Sequence, residues 1–122
     1  MGLDVYAYTR KIAPATPVDF DREETDEEIF YWRKHPNLHG WMEELYRQKG
    51  GSHPEFNLAQ VLLTNEDIDE LEKAVGNGEL PRTSGFFFGQ STDDDKASDI
   101  EFIKKAREAI NDGFHIYYTS WW

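Results

Sequence analysis

Between Trp32 and Trp41 the chain reads Trp-Arg-Lys-His-Pro-Asn-Leu-His-Gly-Trp, which sets two indoles, two imidazoles, a guanidinium and an ammonium within ten positions. A guanidinium such as Arg33 can grip an anion through two parallel N–H bonds. An imidazole such as His39 transfers a proton near neutral pH or donates a hydrogen bond, and the indoles supply flat, rigid surface. Core anchoring competes with that use, because aromatic residues at helical spacing usually face inward. Trp32 and Trp41 then sit at a helix corner, with Arg33 stacked on an aromatic or paired with an acid. His35 and His39 stand four apart, as two ligands on one helix face would, but Pro36 between them spoils that geometry and the H-E-x-x-H pattern is missing. No metal site is expected.

Two further blocks carry unusual residues. Ser84-Gly85-Phe86-Phe87-Phe88-Gly89 contains glycines but lacks the Gly-Lys-Ser/Thr ending of a phosphate loop, so Gly85 and Gly89 read as points of bending or close backbone approach. Tyr117 to Trp122 ends the chain with four aromatics in six residues. Trp121 is expected to fold back and Trp122 to stay partly exposed, an aromatic patch that also invites a homodimer. Absence of cysteine removes thiol catalysis, and no G-x-S-x-G elbow or dinucleotide fingerprint is present. No catalytic residue and no cofactor is therefore assigned. The residues gathered for a binding pocket are Trp32, Arg33, His39, Ser84, Gly85 and Tyr117, with a small anionic or aromatic ligand.

The elements that would position them follow from periodicity. Leu3, Val5 and Ala7 alternate with Asp4, Tyr6 and Tyr8, the pattern of a half-buried strand. Pro14 and Pro17 make the next stretch a connection. Thr25 and Glu28 form a capping box that predicts a helix running to His35. A second helix starts near Asn37, with Leu38, Trp41, Met42, Leu45 and Tyr46 on one face. Phe56 to Leu63 predicts a strand, Thr64 caps a helix carrying Ile68, Leu71 and Val75, and Ser84 to Gly89 predicts a buried strand. Asp93 opens a long helix with Ile100, Ile103, Ala106 and Ile110 inward, and Phe114 to Ser120 is the last strand. The expectation is one α+β domain over residues 1–122, in two layers, with four strands and about four helices in the order β-α-α-β-α-β-α-β.

The chain of 122 residues holds 24 acidic and 13 basic residues, a net charge of -11. Asp19 to Glu28 carries seven carboxylates against Arg22, and Asp93 to Glu101 carries five against Lys96. These two windows hold nearly all of the net charge. As helix N-termini they need no partner, since carboxylates there complement the helix dipole. As a docking surface, Glu23, Glu24, Asp26, Glu27, Asp93, Asp94 and Asp95, with Trp121 and Trp122, would meet a basic target. Eighteen aromatics supply the core area that the few aliphatic residues do not. This balance excludes a basic nucleic-acid reader, a disulfide-stapled domain and a thiolate zinc ribbon, and no apolar run reaches membrane-spanning length. No export signal precedes the first strand, so a cytoplasmic location is expected.

Met1 to Tyr6, Tyr31-Trp32-Arg33-Lys34, Leu38-His39-Gly40-Trp41-Met42, Thr83 to Gly89 and Ile116 to Trp121 together resemble a family of small uncharacterised proteins of tailed phages and prophage-bearing bacteria. The phosphoglycerate kinase activity attached to some relatives does not carry over, because that enzyme needs two large lobes and a nucleotide loop. The resemblance implies an accessory phage-type protein inside a bacterial cell. With no activated nucleophile in the sequence, the expected function is non-enzymatic: binding of a small ligand or a host protein, without direct nucleic-acid or membrane contact. The alternatives are an acidic interaction module or nucleic-acid mimic, and a small acid–base enzyme using His39 and Arg33.

Overall fold

In Asp4–Arg10 (β1), Val5, Ala7 and Thr9 are buried while Asp4, Tyr6, Tyr8 and Arg10 are half-buried, so the alternation in the sequence becomes the two faces of a strand. The computed structural model describes residues 2–85 and 88–122. The remaining elements are Glu27–Arg33 (β2), Pro36–Gln48 (α1), Val61–Leu63 (β3), Asn65–Gly76 (α2), Asp93–Asn111 (α3) and His115–Trp121 (β4). The fold is α+β. Its four strands pair antiparallel in the order β2-β1-β4-β3.

The helix expected from Thr25 is instead β2. Ile29, Phe30, Tyr31 and Trp32 are side chains that favour a pleated surface, and pairing with β1 places Trp32 opposite Val5 and Tyr31 opposite Tyr6. The Asp26 carboxylate accepts the Glu23 N–H at 3.0 Å and closes a turn that feeds the strand. The described part of the chain accordingly has three helices, not four. The strand expected over Phe56–Leu63 shrinks to Val61–Leu63. In the run expected as a strand at 84–89, Phe86 and Phe87 lie outside the described residues. Ser84, Gly85, Phe88 and Gly89 belong to no regular element, and the Phe88 N–H turns back to the Gly85 carbonyl.

All three helices cover one face of the sheet. Trp32 and Phe30 meet Phe102 of α3, and Tyr118 of β4 meets His39 of α1. On α2, Thr64 and Asp67 form the expected capping box and Ile68, Leu71 and Val75 are buried. On α3, the Asp95 carboxylate accepts the Thr92 N–H at 2.7 Å; Ile103 and Ala106 face inward, but Ile100, expected inward, is exposed. Gly40 of α1 lies so close to Thr83 that a Cβ there would overlap the threonine side chain, which presses the 81–85 segment onto the helix. Among the described residues, no helix is long and apolar enough to cross a membrane.

Candidate functional site

The face of the sheet turned away from the helices carries Tyr31 of β2, Tyr6 and Tyr8 of β1, and Tyr117, Thr119 and Trp121 of β4, because cross-strand partners share a face. The 11–26 connection straps one half of it. Pro17–Asp19 runs beside β3, with a bridge from Val18 to Val61 and a hydrogen bond from Asp19 N–H to the Gln60 carbonyl. Phe20 then meets Tyr117 edge-on at 5.1 Å, and the Tyr117 hydroxyl donates to Asp26 at 2.7 Å. Burial, with Asp26 adding to it, holds the Tyr117 phenol well above its ordinary range.

The other half is open. Trp121 is 62% exposed, Leu58 61% and Tyr31 44%. Leu58 also has a φ of 58°, a left-handed conformation that a branched side chain adopts only at a cost. Tyr6 and Tyr31 lie 5.3 Å apart, and the Tyr31 hydroxyl donates to Asp4 at 2.6 Å, which pushes its pKa up. Tyr6, Tyr8, Arg22, Leu58, Gln60, Thr119 and Trp121 line a cavity of about 190 Å³. One cation already sits there: the Arg22 guanidinium lies 4.2 Å from the centre of the Tyr8 ring. The buried Thr119 Oγ1 has no hydrogen-bond partner among the described residues.

Comparison with protein-family models, curated proteins and solved structures finds no match to this chain.

The six residues expected to share a pocket are dispersed. Trp32 is buried and His39 is sealed beneath the sheet, its Nδ1 2.7 Å from the Tyr118 hydroxyl. Burial lowers the His39 pKa to about 4, so the ring is neutral at physiological pH. Arg33 lies on the opposite, outer face, 3.8 Å from Asp4, and the two cannot act on one substrate. Gly85 lies under the Phe88 ring, and Ser84 lines a separate cleft of about 500 Å³ with Asn37, Arg82, Thr83, Gln90 and Ser91. Tyr117 and Arg33 do share the outer face with Trp121.

The acidic residues divide in the same way. Glu23, 4.0 Å from Arg10, Glu24 and Asp26 belong to the strap, and Glu27 to the edge strand β2, so this window is not a helix N-terminus. Asp93, Asp94 and Asp95 do open α3, in the helix layer. Of the two terminal tryptophans, Trp122 is partly exposed as expected, whereas Trp121, expected to fold back, is exposed. Trp122 is held by Asn57 and by its indole N–H to the Phe56 carbonyl at 2.8 Å, while Trp121 points outward, because it is the outward position of β4.

A polar chain that sequence reasoning missed crosses the helix layer. His35 and Asp99 are 2% and 1% exposed. His35 Nε2 is 2.9 and 3.1 Å from the two Asp99 oxygens, the Trp32 indole donates to Asp99 at 3.1 Å, and His35 Nδ1 is 2.7 Å from Ser91 Oγ. Burial raises the Asp99 pKa, against the pull of His35. Lys34, at a φ of 55°, makes the turn between β2 and α1 that sends His35 inward.

Proposed function

We propose that this protein is an interaction module whose open, aromatic sheet face docks an arginine-bearing segment of a partner protein. The observation that carries this reading is Arg22 lying over Tyr8, an internal example of the ligand chemistry: a guanidinium on a phenol ring beside the unpartnered Thr119 hydroxyl. A weakly hydrated, planar cation gains from ring faces and from carboxylates together. Tyr6, Tyr31 and Trp121 offer the rings, and Asp4, Glu28 and the acidic strap offer the charge. Steering by the strap raises the encounter rate, and the rings give selectivity for arginine over lysine. The phage-type resemblance adds a setting to this reading, a host protein in a bacterial cytoplasm.

Titration calorimetry with a short arginine-rich peptide across a salt series tests it. Binding should weaken by about tenfold on Trp121→Ala, a change that leaves every charge in place, and should be weaker for the lysine analogue of the peptide. No binding at low salt, or binding indifferent to Trp121→Ala, refutes the reading.

A further inference from the structure

The docking face makes no use of the buried chain from Ser91 through His35 to Asp99, which lies on the other side of the sheet. We infer that Ser91 is a nucleophile activated by His35, and that the cleft beside it receives a small carboxylic ester. The hydrogen bonds set the direction of the chain. Asp99 accepts from Trp32 Nε1 and lies against His35 Nε2 with both oxygens, so Nε2 carries the ring proton and Nδ1 presents its lone pair. The Asn37 backbone N–H donates to Ser91 Oγ at 3.1 Å, which leaves the hydroxyl proton directed to Nδ1 at 2.7 Å. Hydroxyl to imidazole to carboxylate is the order by which a histidine takes a proton as the oxygen attacks. The ring nitrogens exchange places relative to the usual serine hydrolase, and the proton path is unaffected.

Burying an imidazole and a carboxylate carries a desolvation cost, and apolar side chains could join the same elements without it. Ser91 by contrast is only half-buried and lines the cleft of about 500 Å³. Arg82 lines that cleft as well, and so does Asn37, whose Oδ1 is taken by the Thr83 N–H at 3.1 Å, leaving its carboxamide N–H groups as donors. These are the groups available to an oxyanion. Ser91 Oγ bonds to the ester carbonyl carbon as its proton moves to His35 Nδ1. The oxyanion collapses, the alcohol leaves with that proton, and water then adds to the acyl-serine by the same shuttle, releasing the carboxylic acid and restoring Ser91. The imidazolium formed in each half is faced by Asp99 and by Asp95, 3.7 Å from Nδ1, while Asp93 and Lys96 line the small cavity beside it. Asp99 and Trp32 act through His35 and are positioning residues.

Labelling the full chain with a fluorophosphonate probe, followed by peptide mass mapping, tests the nucleophile. One adduct is expected, on Ser91, absent in Ser91→Ala and formed about a hundredfold more slowly in Asp99→Asn. Both changes touch the start of α1, so a second measurement is independent of them. The chain has no cysteine, and Ser91→Cys and Ser84→Cys each introduce a single thiol on the same cleft. Iodoacetamide should alkylate the Ser91→Cys protein about tenfold faster below pH 7, with a pH profile shifted to acid, because a thiol beside His35 ionises early. Absence of an adduct at Ser91, or identical alkylation profiles for the two thiols, overturns the inference. Failure of the docking face leaves this site untouched, and the converse also holds.

Discussion

Burial of His39 among Phe56, Phe88 and Tyr118 makes it an acid-sensitive strut. Its pKa is lowered from 6.5 to about 4 in the folded protein, so between those values the unfolded chain binds a proton that the folded chain excludes. The stabilisation is complete above about pH 6.5 and falls as pH falls, by roughly 3 kcal/mol near pH 4. Urea midpoints of the wild type and His39→Gln across this range should converge toward acid; a constant difference contradicts the assignment. Asp99 makes a second demand at this scale. Asp99→Ala leaves His35 Nε2 and the Trp32 indole without their acceptor in a dry site and should cost about 4 kcal/mol. Trp32→Phe removes one hydrogen bond and should cost about 2 kcal/mol. Chemical denaturation ranks the two, and equal costs would show that the carboxylate does not organise the cluster.

At the scale of elements, the two threonine signals separate local from non-local control. Thr64 accepts the Asp67 N–H and caps α2, so Thr64→Ala should cost about 1 kcal/mol. Thr25 precedes a strand, and Thr25→Ala should change stability by less than about 0.5 kcal/mol. Thermal melts of the two variants check this, and equal losses would mean that a helix does start at Thr25. The α2 signal prevails because its apolar stripe, Ile68, Leu71 and Val75, sits beside its own cap. The signal at Thr25 meets Ile29, Phe30 and Trp32, whose packing against β1 and α3 outweighs a surface cap. Gly85 and Phe88 mark a similar conflict: an apolar run favours a strand, yet Phe88 is buried by turning back toward Trp122 and His39.

Across the whole molecule, charge and aromatic surface are arranged by the strap. It draws the acidic Asp19–Asp26 stretch over one half of the outer sheet face and leaves Tyr31 and Trp121 open on the other, with Tyr6 half-buried. Arg22 lies over Tyr8 at the boundary, and under the proposed docking reading it is an internal competitor for the partner's arginine. Arg22→Ala should therefore tighten arginine-peptide binding by about threefold, as expected when a self-occupied site is vacated. Calorimetry against Arg22→Gln separates vacancy from charge, since both variants lose the same charge; weaker binding in both would assign Arg22 to contact with the partner.

Much of this protein is legible in residues that lie close together along the chain. Alternation marks β1 and β4, the Thr64 cap and the Asp93 run mark the starts of α2 and α3, and the α1 stripe marks Leu38, Met42 and Tyr46, since each depends on neighbours within one or two turns. The tertiary structure alone decided β2, because strand pairing draws its energy from a distant partner. It also decided which terminal tryptophan is exposed, since β4 alternation had to be referred to the face the helices cover. The same holds for His35, 56 residues from Ser91 and 64 from Asp99, where no local spacing announces the contact. The aromatic richness and the acidity were plain in composition, but only the path of the strap across the sheet put one of the two acidic windows beside the outer-face tyrosines.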